Sequence, residues 1–242
     1  MKKHIPNTIT CCNLISGCIA VTQAYIGATE MALLWIVIGA VFDFFDGMSA
    51  RLLHVSSPIG KELDSLADDV TFGVAPAMVI FYALTVMEYP GFLEPCRSWL
   101  PYTAFLLAAF SALRLAKFNL DERQTMGFIG LPTPANALFW ASLMAGYPQI
   151  INSTSYMVII VIALMLLSCW LLISEVPMFA LKFKHWGLSE PGNLVKYGFI
   201  VFCAAILLFQ QIAGIAVIIV AYIILSIILD ITHRQAPQPQ QS

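Results

Sequence analysis

Five aspartates, Asp43, Asp46, Asp64, Asp68 and Asp69, fall between residues 43 and 69 of a strongly apolar stretch. An ionised carboxylate costs a few kcal/mol or more at bilayer depth, so a cluster of them needs something to neutralise it. Asp43, Asp46 and Ala50 share one helical stripe at spacings of three and four, closed by Arg51, and Asp64 and Asp68 repeat the spacing one segment later. At about 1.5 Å of rise per residue, Asp43 stands roughly 12 Å from Arg51, and Asp68 about 10 Å from Lys61 on the next helix. The four carboxylates therefore reach similar depth. Two antiparallel helices that face these stripes to each other would gather the four into a site for hard divalent cations. Gly47 and Ala50 keep the same face shallow enough for a flat group to lie there. The competing reading pairs the aspartates with Arg51, Lys61 or Arg114 as buried ion pairs that fix helix register, although the carboxylates outnumber the nearby bases.

The elements that must position these groups are membrane helices. Of 242 residues, 60% are hydrophobic and 11% charged, too apolar for a soluble domain of this size. Runs long enough to cross a hydrocarbon core of about 30 Å cover residues 8–28, 31–53, 62–87, 99–120, 132–149, 154–174, 194–211 and 213–231. The fold expected is an all-α membrane protein of about eight transmembrane helices, one polytopic domain over residues 1–233, with a disordered polar tail at 234–242. Lys and Arg gather on the cytoplasmic side of such helices. With Lys2 and Lys3 inside, eight crossings put Arg51, Lys61, Arg114, Lys117, Arg123, Lys182, Lys184, Lys196 and Arg234 on the same face and leave only Arg97 opposite. Both termini are expected in the cytoplasm. The first apolar run shows no small-residue cleavage site, so no cleavable signal peptide is expected. The cysteines imply no disulfide framework. His4, His54, His185 and His233 fall in loops or termini without a second ligand at metal-binding spacing, and no basic run has the density of a nucleic-acid site.

The run Asp43-Phe-Phe-Asp46-Gly47-Met-Ser-Ala50-Arg51, then eight residues to Gly60, three to Asp64 and three to Asp68, resembles the signature of the CDP-alcohol phosphatidyltransferases at every fixed position and both gaps. The resemblance implies a six-helix transmembrane core, here at about 4–175, that is usually dimeric and binds two Mg²⁺ or Mn²⁺ ions and the pyrophosphate of a CDP-linked lipid. Helices at about 194–231 would be an addition to it. Asp64-Ser-Leu-Ala-Asp68-Asp-Val-Thr-Phe-Gly-Val-Ala-Pro-Ala77, Arg114-Leu-Ala-Lys-Phe-Asn119, Gly130-Leu-Pro-Thr-Pro-Ala135 and the N-terminal Ile-Pro-Asn-Thr are similar to the membrane-spanning phosphatidylserine synthases of that family. That similarity covers roughly residues 4–140. Three positions depart from it: Lys117 stands where arginine is expected, Thr71 where serine is commoner, and Asp69 where the subfamily is usually apolar. Lys117 keeps the charge but loses a bidentate phosphate fork.

The reaction implied joins L-serine to the phosphatidyl group of CDP-diacylglycerol and releases CMP, in a bacterial inner membrane with the site facing the cytoplasm. Asp43, Asp46, Asp64 and Asp68 would hold the metals, with Asp68 also the general base for the serine hydroxyl in one in-line step. Pro6, Asn7, Thr8, Gly47, Ala50, Arg51 and Ser57 would receive the CDP-lipid. Arg114, supported by Asn119 and Lys117, would hold the acceptor carboxylate. Arg114 and Lys117 have a plainer reading as interfacial anchors, and Gly130-Leu-Pro-Thr-Pro as a turn opening the fifth helix. Glycerol phosphate or inositol phosphate as acceptor would demand more bases than these. A cation-coupled transporter would spread its carboxylates across the membrane.

Overall fold

A computed structural model describes residues 4–55, 57–120, 128–178 and 193–235. Lys2, Lys3, Arg123, Lys182, Lys184, His185 and the tail from 236 lie outside the described residues. Helices α1 (His4–Tyr25) and α2 (Thr29–Leu52) form an antiparallel hairpin, followed by α3 (Pro58–Asp68), α4 (Ala75–Val86), α5 (Phe105–Leu120), α6 (Thr133–Gly146), the single turn α7 (Pro148–Ile151), α8 (Met157–Ile173), α9 (Asn193–Gln210) and α10 (Gly214–Gln235). The chain is an all-α membrane protein. Its outer surface carries Phe44, Leu120, Leu208 and Phe209 at 61%, 85%, 81% and 87% exposure, a surface that suits lipid and not water.

The third span is one continuous run from Pro58 to Val86, broken in the middle by a π-helical turn over Asp69–Val74. Pro76 has no N–H to give the preceding turn, and the ladder widens on its N-terminal side. At the other end Ser57, with φ −147° and ψ 145°, caps α3: its Oγ accepts from Gly60 N at 3.0 Å, and Pro58 sits in the first turn. Pro148 stops α6 short of the expected 149.

Five described stretches are long and apolar enough to cross a membrane: His4–Tyr25, Thr29–Leu52, Pro58–Val86, Leu100–Leu120 and Asn193–Thr232. The last is two helices and not one. A 3-10 turn at Gln211–Ala213, with Gln211 at φ 51°, reverses the chain, and Phe199 of α9 meets Tyr222 of α10 at 6.3 Å between ring centroids. α6 and α8, of 14 and 17 residues, occupy the remaining expected spans. A strand pair absent from the sequence expectations, β1 (Phe128–Ile129) against β2 (Pro177–Met178), ties the start of α6 to the end of α8. Gly130 beside it has φ +75°, and a Cβ there would meet the carbonyls of Leu172 and Ser174 at 2.8 Å, so the turn demands glycine.

The main core lies between α4, α5, α6 and α8, around Ile80, Leu84, Leu107, Trp140, Met165 and Leu172. Trp140 is fully buried and donates its Nε1–H to Ser168 Oγ at 3.0 Å. Lys61 Nζ donates to Asn119 O at 2.9 Å and Lys117 Nζ to Ile173 O at 3.3 Å. These bonds set the ends of α5 and α8 and the start of α3 on one face of the protein. Arg97 pairs with Glu94 at 3.1 Å in the connection between α4 and α5, at the opposite end.

Candidate active site

Asp43 of α2 and Asp64 and Asp68 of α3 each offer a carboxylate oxygen, and the three atoms lie within 4.8 Å of one another. Like charges this close in a membrane helix bundle must share protons or take a cation between them. The described bonds of the candidate bases go elsewhere: Arg51 Nε to Gly47 O at 3.0 Å, Lys61 to Asn119 O, and Arg114 Nη1 to Thr133 Oγ1 at 3.3 Å. The reading of these aspartates as register-fixing ion pairs therefore finds no bond among the described residues. Asp46 stands beside this group, within electrostatic range of all three. It is 5% exposed, accepts from Thr10 Oγ1 at 2.6 Å and lines an adjoining cavity that Asp64 also lines.

Two residues of α1 that the sequence reading did not single out hold this arrangement. Thr10 fixes Asp46, and Asn13, fully buried, donates from Nδ2 to Asp68 Oδ1 at 3.0 Å. The signal was available: Pro6, Thr10, Asn13, Ser16 and Gly17 are the buried stripe of an otherwise apolar span. Thr71, in the π turn directly after the aspartates, donates to Asn13 O at 3.1 Å. Its side chain fits only because Gly17 and Gly39 have none: a Cβ on Gly39 would meet Thr71 Cγ2 at 2.5 Å, and one on Gly17 would collide with Thr71 Oγ1.

Beside the carboxylates a cavity of about 210 Å³ is lined by Pro6, Asn7, Asp46, Gly47, Ala50 and Ser57, among others. A Cβ on Gly47 would find only Arg51 Nη2, at 4.0 Å, so this glycine keeps the wall open. Two of the expected residues, Thr8 and the exposed Arg51, are not part of this lining. Thr8 points away from it. It is exposed and donates to His4 O at 2.9 Å, while Thr10, two residues on, lines the cavity. Helical geometry explains the difference, since Thr8 lies about 200° round α1 from Thr10. His4 and His54 are exposed.

The expected acceptor residues separate. Arg114 is 7% exposed, with its guanidinium 5.4 Å from the Phe118 ring. Lys117 is exposed and lies 3.9 Å from Glu175. Asn119 donates to Ser65 Oγ at 2.7 Å, which ties α5 to the outer flank of α3. The structure thus buries Arg114 and leaves Lys117 at the surface, where an anchoring role suffices. Asp69 stands outside the three-carboxylate group, with Oδ1 buried beside Gly73 and without a hydrogen-bond partner among the described residues.

A family model described as CDP-alcohol phosphatidyltransferase matches residues 3–180. The chain belongs to the CDP-alcohol phosphatidyltransferase family. As a member it is an enzyme, a transferase built from membrane helices, in a family whose chemistry is generally metal-dependent. Relatives that carry the name CDP-diacylglycerol–serine O-phosphatidyltransferase include proteins from a bacillus, an archaeon and a mycobacterium. The one from Bacillus subtilis is 34% identical over 192 residues, 79% of this chain and 96% of that protein. The Methanocaldococcus jannaschii protein is 36% identical over 149 residues, 62% of each chain. The Mycobacterium tuberculosis protein is 32% identical over 148 residues, 58% of this chain and 49% of that one. The family match ends at residue 180, so α9 and α10 stand outside it.

Proposed function

We propose that the chain transfers the phosphatidyl group of CDP-diacylglycerol to L-serine, giving phosphatidylserine and CMP. The observation that carries this reading is the meeting of Asp43, Asp64 and Asp68 within 4.8 Å at the edge of a cavity walled by Pro6, Asn7, Gly47, Ala50 and Ser57. Hard oxygen donors that form no ion pair among the described residues fit Mg²⁺ or Mn²⁺, with Asp43, Asp46, Asp64 and Asp68 as the holders of two ions. Such ions, when bound, draw charge from the pyrophosphate and from the departing nucleotide.

Asp68 takes the proton of the serine hydroxyl while that oxygen bonds to the lipid-linked phosphorus and the bond to CMP breaks. Asn13 occupies Asp68 Oδ1 and so leaves the other oxygen for this task. Pro6, Asn7, Gly47, Ala50, Arg51 and Ser57 receive the CDP-lipid, with Thr8 flanking them on the solvent side. Arg114 supplies the positive charge for the serine carboxylate, with Lys117 and Asn119 at the rim. The enzyme works as a homodimer in a bacterial cytoplasmic membrane, with the site and both termini inward. The gathering of eleven of twelve Lys and Arg on one side in the sequence layout supports that orientation.

The test supplies labelled serine, glycerol phosphate or inositol phosphate separately to purified protein with CDP-diacylglycerol and Mn²⁺ or Mg²⁺, and follows CMP release. Serine alone should support turnover. A chelator should abolish it, and added metal should restore it. Turnover with a phosphorylated acceptor and none with serine would overturn the acceptor, and turnover unaffected by chelation would overturn the metal site.

A further inference from the structure

The connection between α4 and α5, at the end of the molecule opposite the carboxylates, encloses a second cavity. Its volume is about 480 Å³, against about 210 Å³ beside Asp46. Phe81 and Thr85 of α4 line one side, Glu94, Arg97 and Ser98 of the connection another, and Tyr102, in the 3-10 turn that leads into α5, a third. An ordinary surface ion pair needs no such space around it.

Three contacts hold Arg97 in place. Nη1 donates to Glu94 Oε1 at 3.1 Å, Nη2 donates to Met87 O at 3.4 Å, and the guanidinium stands 5.5 Å from the centre of the Tyr89 ring. A guanidinium has five N–H groups, so these bonds fix the fork and leave donors for an anion. Glu94 meets the arginine through Oε1, and both side chains of the pair stay about half-exposed. Thr85 Oγ1 donates to Phe81 O at 2.8 Å and keeps its lone pairs for a donor. The Phe81 ring meets that of Tyr102 at 5.2 Å and stacks on Phe105 at 5.4 Å. The cleft thus sets a carboxylate, a hydroxyl and aromatic rings beside a guanidinium, which suits a cation and an anion joined in one molecule.

The level of the cleft in the membrane says what that molecule is. Phe92, Trp99 and Tyr102 are exposed at this end, and aromatic side chains gather where lipid headgroups lie. Leu106 and Leu113 of α5, also exposed, are one heptad apart and continue a lipid-facing strip below Tyr102. We propose that the cleft holds the headgroup of a phospholipid that bears a phosphate and a primary ammonium, with an acyl chain along Leu106 and Leu113. Arg97 donates to the phosphate. The ammonium donates to Glu94 Oε2 and lies against the Tyr102 ring. Charge decides the lipid class, because Glu94 and Arg97 sum to zero. A zwitterionic headgroup leaves the cleft neutral, whereas an anionic one without an ammonium sets its charge against Glu94. The site lies away from the transfer chemistry and does not depend on which acceptor the enzyme uses.

The experiment titrates the purified chain, in a maltoside detergent, with phosphatidylethanolamine, phosphatidylglycerol or water-soluble glycerophosphoethanolamine. Native mass spectrometry counts the lipids retained per chain, and thermal unfolding follows stabilisation. Phosphatidylethanolamine should bind at a saturable site at least ten-fold more tightly than phosphatidylglycerol. Glu94→Gln, which keeps the shape, should remove that preference. Arg97→Gln should weaken both lipids at least ten-fold, and Tyr102→Leu should weaken phosphatidylethanolamine several-fold. Unfolding without added lipid shows whether each variant is folded, and if Arg97→Gln is not, Glu94→Gln and Tyr102→Leu decide the matter. Equal binding of the two lipids by wild type, or the wild-type preference in folded Glu94→Gln and Tyr102→Leu, would overturn the site. Saturation by glycerophosphoethanolamine at the same concentration would overturn a lipid as its occupant.

Discussion

At Asp68 one carboxylate oxygen is held by Asn13 at 3.0 Å, while Asp43 and Asp64 reach within 4.8 Å. Asp68→Asn keeps the size of the side chain and removes its capacity to take a proton. Turnover should fall by about 10²- to 10⁴-fold, the ordinary contribution of a positioned base, while CDP-lipid binding persists through the remaining carboxylates. CMP release and binding of labelled CDP-diacylglycerol check the two halves, and wild-type turnover would remove Asp68 as the base. The four acidic positions were legible in the sequence because charges are costly in an apolar helix. Thr10 and Asn13 were harder to see, because neutral hydroxyl and amide groups are tolerated in membrane helices and carry no such flag.

Helices α1, α2 and the π turn after α3 approach closely because glycines face Thr71. At Gly39 the obstacle to a Cβ is the Thr71 methyl at 2.5 Å, with Asn13 Oδ1 at 3.0 Å. Gly39→Ala should therefore cost about 1–3 kcal/mol by overpacking. It should also lower turnover, since Asn13 is pushed where it holds Asp68. Thr71→Ser removes the methyl and keeps the hydroxyl that donates to Asn13 O, so the double variant should recover much of both. Thermal unfolding in detergent and CMP release check this, and a double variant no better than the single one would place the strain elsewhere. Pro76 and the i, i+3 polar spacing were visible in the sequence, whereas the π turn was not, because periodicity cannot tell a helix with one widened turn from a regular one.

Over the whole molecule the bases divide between two ends, with Lys61 and Lys117 bonded across one and Arg97 at the other. In a cysteine-free background, Arg97→Cys should react with a membrane-impermeant maleimide on intact cells. Leu120→Cys, at a position 85% exposed, should react only after permeabilisation. Labelling of both from the same side would refute the orientation.

The sequence by itself determined the membrane setting, the positions of the spans and the acidic signature, because burial of charge and the length of apolar runs are local constraints that a bilayer enforces residue by residue. Only the tertiary structure decided that Asp46 is held by Thr10, that Arg114 and not Lys117 is buried, and that α10 packs across the start of α6. Each of these depends on which faces of distant helices meet, and helix packing is set by side-chain shapes far apart in the chain, which no single span encodes.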